Sequence, residues 1–185
     1  MSARPSEGGL RRLARRIDDY QDALGRGISW LMLLMVAIVF GDVILRYAVG
    51  RTWVMTQEAE WYLFGIVYLM AAGYTMLWNE HVRVDILYSR WSPQRKAAVD
   101  LVLLIVMFFP SCLMIVYSTW PFFRASLAVL EGSPDPGGIP LRWALKAVII
   151  VAFVNLMIQG LSQAIKNYYV ARGWEGPEQR PTEIY

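Results

Sequence analysis

Cysteine and histidine are nearly missing from these 185 residues, which hold one of each, Cys112 and His81. One cysteine excludes an internal disulfide and every multi-cysteine metal site. One histidine excludes a haem held by two histidines of this chain, and metal or triad chemistry that needs a second imidazole. Charge is scarce too. Asp, Glu, Lys and Arg make up 18% of the chain, against about 25% in a soluble domain. No nucleophile–base pair, metal cluster or phosphate loop stands out, so no enzymatic activity and no cofactor are expected. The excess lies in apolar residues: 56% of the chain is hydrophobic and the mean hydropathy is +0.36. The charges sit at the two ends and in short blocks, with long uncharged tracts between. That is the pattern of an all-α integral membrane protein. A net charge of +3 does not point to nucleic acid, because the basic residues flank apolar runs.

Four runs are long enough to cross about 30 Å of hydrocarbon as helices, which takes roughly 17–25 residues. They are 27–49, 61–79, 101–123 and 147–165. The sequence therefore predicts four transmembrane helices within a domain spanning 27–166. Trp30, Trp53, Trp61, Trp78, Trp120 and Trp143 lie near the ends of these runs, where indoles prefer the headgroup level. Trp174 lies beyond the last run and has no such explanation. Lys and Arg set the orientation. Thirteen of the 18 fall before the first run, in the 79–100 link or after the fourth run. This places both termini and that link in the cytoplasm, and the 50–57 and 124–142 links outside. Asp42 and Arg46 interrupt the first run, which fits a retained span better than a cleaved signal peptide.

Segment 1–26 is basic, and Leu10, Leu13, Ile17, Tyr20 and Leu24 recur in it at helical spacing. Two readings stay open: an amphipathic helix lying on anionic membrane lipids, or a solvated tail that only sets topology. Residues 167–185 read as a cytoplasmic tail. Ser92-Pro93 marks a helix start, and Pro110 predicts a kink near 106–110. The outward segment 131–140 holds three prolines and three glycines, which bar regular structure.

Polar residues in or beside the spans are the candidate functional positions. Asp42 and Arg46 are four apart and share a helix face, as a structural pair. The alternative role for Asp42 is that of proton carrier in a self-contained small proton-coupled exporter. An arginine partner argues against it, since it keeps the carboxyl ionised. Glu58 and Glu60 sit where the second helix begins, suited to its dipole or to Arg46 and Arg51. Asn155, Gln159 and Gln163 form an i, i+4, i+8 stripe that should face another helix. Gly65, Ala72 and Gly73 thin the second span for close packing.

Three stretches together resemble a known family. They are Ile44-Leu45-Arg46-Tyr47, then Gln57-Glu58-Ala59-Glu60-Trp61, then Glu80-His81-Val82-Arg83-Val84-Asp85. They are similar to the small membrane subunit, of DctQ type, of tripartite ATP-independent periplasmic (TRAP) transporters, over residues 28–165. The resemblance implies two protein partners: a large membrane subunit of DctM type and a periplasmic substrate-binding protein of DctP type. It implies uptake of an organic anion, commonly a carboxylate, across the bacterial inner membrane. Sodium coupling and the substrate ligands would lie in the large subunit. Arg46, Glu58, Arg83 and Asp85 match the family pattern as structural or subunit-contact positions. Arg51, Glu131, Asp135 and Arg142 carry outward charges of both signs and are candidates for docking the binding protein.

Overall fold

The computed structural model describes residues 8–78 and 91–174. The 79–90 link, with Arg83 and Asp85, lies outside the described residues. Among the described residues there are four helices and no strand. They are α1 (Gly9–Val49), α2 (Val54–Leu77), α3 (Pro93–Ala128) and α4 (Arg142–Ala171). The other three all pack on α4, and α1 also packs along α2.

Three helices, α1, α3 and α4, are long and apolar enough to cross a membrane. The sequence predicts four, and α2 is not among the three. Its tyrosines and glycines, with Glu58 and Glu60 near its start, dilute its hydropathy.

The separate N-terminal surface helix is replaced by one rod. α1 runs unbroken for 41 residues, about 60 Å at helical rise and twice the hydrocarbon thickness. Residues 10–26 do not lay their whole apolar stripe on a surface. Ala14, Ile17, Asp18, Gln21, Gly25 and Ile28 form the buried seam, while Leu10, Leu13 and Tyr20 stay exposed. The physical reason is the polar content of that seam. Asp18 and Gln21 need partners that α4 supplies and a bilayer does not.

α3 begins where Ser92-Pro93 predicts, with the Ser92 hydroxyl accepting from the Arg95 amide at 3.4 Å. The irregularity ahead of Pro110 is a π turn at Leu104–Phe108, closed by the Phe109 amide donating to the Leu104 carbonyl. Proline has no amide to donate, so a wider turn before it absorbs the break. Phe108 then lies across α4 at Gly160, where a Cβ would come within 2.4 Å of the ring. Pro121 sits further along, within the last stretch of the same helix.

Two helix ends close with the same pair of backbone bonds. At the end of α3 the Glu131 amide donates to the Ser126 carbonyl and the Leu130 amide to Leu127. At the end of α4 Trp174 donates to Tyr169 and Gly173 to Val170. This is the Schellman arrangement, whose turning residue is left-handed. Gly173 adopts φ +70 freely, whereas Leu130 holds φ +45 with a branched side chain.

Gly73 and Gly65 on α2 differ in what surrounds them. A Cβ on Gly73 would lie 2.6 Å from Gln21 Nε2 and 3.0 Å from Asn155 Nδ2. A Cβ on Gly65 would meet only Leu145, at an ordinary 3.5 Å. Gly73→Ala is therefore expected to lower stability by about 1–3 kcal/mol, the range for overpacking. Gly65→Ala should be neutral or slightly stabilising, because it removes helix-interior glycine entropy. Thermal unfolding midpoints of the two purified variants check this, and equal shifts would contradict the packing.

Candidate functional site

Two polar clusters lie at opposite ends of the bundle. The first joins α1 to α4 near the chain termini. Gln21 Nε2 donates to the Asn155 backbone carbonyl at 3.2 Å and to its Oδ1 at 3.1 Å, and Asn155 Nδ2 donates back at 3.4 Å. Gln159 Nε2 and Ser162 Oγ reach Asp18 Oδ1 at 3.2 and 2.7 Å. Lys166 Nζ lies 2.5 Å from the other Asp18 oxygen. Gln21, Gln159 and Ser162 are fully enclosed. One acceptor is left over: Gln159 Oε1 has no hydrogen-bond partner.

Two residues of the amide stripe, Asn155 and Gln159, thus do face a helix, and that helix belongs to this chain; Ser162 takes the place expected of Gln163. Sequence reasoning picked out Asn155 and Gln159 but missed Asp18, Gln21, Ser162 and Lys166. A signal was present. Asn155, Gln159, Ser162 and Lys166 recur at i, i+4, i+7 and i+11, and Ala14, Asp18, Gln21 and Gly25 repeat the same spacing on α1.

The second cluster ties the 129–141 loop to α2. Glu58 accepts from the Ser133 hydroxyl at one oxygen and from the Ile139 amide, at 2.5 Å, at the other. Gly138 permits the approach, since a Cβ there would fall within 2.5 Å of both Ser133 Oγ and Glu58 Oε2. Inside the loop the Ser133 amide donates to the Ile139 carbonyl and Gly138 to the Asp135 carbonyl. The Asp135 amide donates to Ser133 Oγ. Glu131 accepts from Lys146, stands 4.0 Å from Arg142, and receives the Arg142 amide on its own carbonyl. Lys146 also lies over the Phe122 ring, 3.8 Å from its centre.

Hydrogen bonding from Ser133, then from the Ile139 amide, holds the Glu58 carboxyl below its ordinary value. Glu131 is likewise lowered, first by its bond from Lys146. Glu58 thus serves the loop, and the expected capping role is not what α2 uses: no acidic residue lies in its first turn. Glu60 is half-buried one turn inside and its Oε1 has no partner. Among the docking candidates, the structure brings Glu131 and Arg142 together at the loop base and leaves Asp135 exposed at its tip. Arg51 is exposed in the 50–53 link.

Between the clusters, Arg46 Nη2 donates to Asp42 Oδ2 at 2.8 Å. Asp42 is 4% exposed and the Arg46 side chain 49%, so the acid is enclosed and the base reaches outward.

Comparison with known proteins fits this architecture. Residues 35–168 match the DctQ component of the tripartite ATP-independent periplasmic transporters. The chain belongs to the DctQ family. It is also 29% identical over 148 residues to a protein of Haemophilus influenzae named as a TRAP transporter small permease, covering 77% of this chain and 86% of that one. No solved structure matches it. The matched region takes in the whole of α2, α3 and the 129–141 loop, and starts inside α1. Asp18 and Gln21 therefore lie ahead of it, although they complete the seam with DctQ residues Asn155, Gln159 and Ser162.

Asp18→Asn in this DctQ chain removes the charge opposite half-buried Lys166. Breaking a buried pair on one side costs roughly 3–5 kcal/mol. Adding Lys166→Met should recover part of that loss, because the ammonium that faced Asp18 goes too. A double-mutant cycle on unfolding midpoints reads the coupling, and strict additivity would show that the pair does not act as a unit.

Glu58 gives a pH expectation of defined sign. Its carboxyl is lowered in the folded chain, so its contribution is complete above the ordinary value of 4.5 and fades as pH falls through the lower folded value. Backbone exchange at Ser133 and Ile139 should thus stay slow from neutral pH down to about that point and rise only below it. Glu58→Gln should speed exchange there at neutral pH as well. Unchanged exchange in the variant would show that the loop holds itself.

Proposed function

We propose that this chain is the fixed small subunit of a binding-protein-dependent TRAP transporter in the bacterial inner membrane. In this reading it supports a large membrane subunit that moves an organic anion, with a carboxylate as the expected class, using a sodium gradient. It carries no substrate or sodium itself. α2 is read as a fourth span, and both termini as cytoplasmic. Supporting the shared side, the N-terminal end of α1 pairs with the C-terminal end of α4, while the loops at 50–53 and 129–141 gather at the other end.

One observation carries the scaffold reading. Four polar side chains of the bundle are spent on structure: Asp18 and Gln21 on α4, Asp42 on Arg46 of its own helix, Glu58 on the loop. A carrier needs a titratable or coordinating group that exchanges partners, and Asp42 with a charge-paired neighbour at 2.8 Å is poorly suited to that. The outer surface supplies the other half of the reading, being rich in exposed aromatics such as Trp61, Phe64 and Tyr68 on α2.

The outward loop is read as part of the seat for the periplasmic binding protein. Its frame is built by Glu58, Ser133 and Ile139 and closed at the base by Glu131, Lys146 and Arg142. A surface already ordered loses little entropy on contact. Asp135 and Arg142 give it charges of both signs for steering.

Purification through a tag on this chain from native membranes should recover the large subunit, and a chain that always comes alone would refute the scaffold role. In the assembled complex, Asp135→Arg should raise the binding-protein concentration for half-maximal uptake about three- to tenfold, the effect of one steering charge at low salt. Asp135 is the cleaner choice, because Arg142 also closes the loop base. Unchanged uptake kinetics in a complex of normal composition would leave the loop as a connector.

A further inference from the structure

We propose that the paired ends of α1 and α4 form a headgroup site for an anionic phospholipid. The site is built by the α4 C-terminal cap. The Trp174 amide bond to Tyr169 and the left-handed Gly173 fold the chain back on itself. Trp174 then packs edge-on to Tyr168 and tilted on Tyr169, at 6.1 and 5.7 Å between ring centres. This accounts for the tryptophan that no span explains.

Two arginines from different helices sit on these rings. The Arg11 guanidinium lies 4.7 Å from the centre of Tyr169, and Arg172 lies 5.3 Å from the centre of Tyr168. A guanidinium stacked on a ring is oriented by its face, and its N–H donors lie around the edge, in the planar fork that matches phosphate oxygens. Arg12 and Arg16 continue the exposed basic surface along α1. Among the described residues the neighbouring acids offset this only in part. Asp18 is turned into the seam, Asp22 pairs with Arg26 at 2.5 Å, and Asp19 is exposed.

The occupant is indicated by the residues beside the charges. Leu10, Leu13 and Tyr20 are exposed on the same stretch of α1, and Trp174 is exposed at the end of α4. Both α1 and α4 are apolar enough to cross a membrane, and the patch closes the end of α4, with Arg11 over Tyr169, so it sits at the end of a span. Basic and amphipathic aromatic side chains beside exposed aliphatic ones match a phosphate headgroup and the acyl chains attached to it. A soluble anion would use the arginines and leave the apolar residues uncovered. The proposal rests on α4 crossing the membrane and is independent of whether the outward loop docks a binding protein.

The test titrates the intact chain, in neutral detergent, with phosphatidylglycerol or phosphatidylcholine of identical acyl chains, and reads bound lipid by native mass spectrometry. Phosphatidylglycerol is expected to be retained at about tenfold lower concentration. Each arginine near a lipid surface is worth about fivefold in binding. Arg11→Gln with Arg172→Gln should thus abolish the preference with helix content unchanged. The single variant Arg172→Gln, at an exposed position past the last turn of α4, should weaken it about fivefold even if the double variant fails to fold. Arg124→Gln, on exposed α3 surface, should leave it intact. Equal retention of the two lipids by the native chain would overturn the proposal. So would a preference undiminished by Arg172→Gln, or displacement of the lipid by an equal concentration of glycerol phosphate.

Discussion

The carboxylate of Asp18, enclosed between α1 and α4, is the constraint on which the rest of the bundle depends. A buried charge is tolerated only when paired and hydrogen-bonded. Here α4 supplies a hydroxyl, an amide and an ammonium from Ser162, Gln159 and Lys166, three residues on one face. That requirement fixes the register of the two antiparallel helices. One turn deeper, Gln21 and Asn155 complete it with a reciprocal amide pair. α2 is then admitted only at Gly73, because any side chain there would meet both amides. Dispersion packing alone would accept neighbouring registers of similar apolar content. The polar seam accepts one.

The opposite end of the bundle uses the same chemistry for a different purpose. Glu58 ties down a loop that has too much proline and glycine to form regular structure. The loop enters through Leu130, held left-handed where glycine is usual, so that Glu131 turns back toward Lys146. Left-handed backbone costs a branched residue roughly 1–2 kcal/mol. Its retention fits a turn fixed by the next residue: Glu131, bonded to Lys146 and close to Arg142, over-determines the geometry. Both ends therefore rest on carboxylates held by several polar neighbours, while the middle of the bundle carries the Asp42–Arg46 pair within one helix.

The apolar runs of α1, α3 and α4 were legible because lipid-crossing length and uninterrupted hydropathy leave little else for such segments to do. Ser92-Pro93 was legible as a start for a local reason: cap and proline act within one turn. Pro110 announced an irregularity, but not its form, a π turn, nor that Phe108 within it would lie against Gly160 across the interface. The amphipathic segment 10–26 was legible as a helix and not in its packing. Its leucines and tyrosine drew attention to the apolar flank, whereas burial favoured Ala14, Asp18, Gln21 and Gly25. Periodicity reports that a helix has two faces and is silent on which one a distant helix will need. Glu58 was found as a residue and misassigned in role, because a helix-start carboxylate and a loop anchor have the same local sequence.

Small residues commonly mark where a second chain approaches a membrane helix closely. In this bundle the tightest of them are used internally. Gly25 receives the Tyr74 ring, Gly73 the Gln21–Asn155 pair and Gly160 the Phe108 ring, each at a distance that a Cβ would close to under 3 Å. Gly73 and its stripe of amides therefore give no support to a partner, contrary to what their composition suggests. Support comes instead from the large side chains left outside. On α2, Trp61, Phe64 and Tyr68 lie at i, i+3 and i+7, all exposed, with Phe64 and Tyr68 stacked at 6.0 Å. Such a ridge offers broad area at low entropy cost. It suits contact through interdigitating side chains at ordinary helix spacing, and it excludes the close backbone approach that glycine-lined faces allow. A proposed large subunit that meets this face should accordingly present a groove of small or aliphatic residues to it, or rings offset to stack on these.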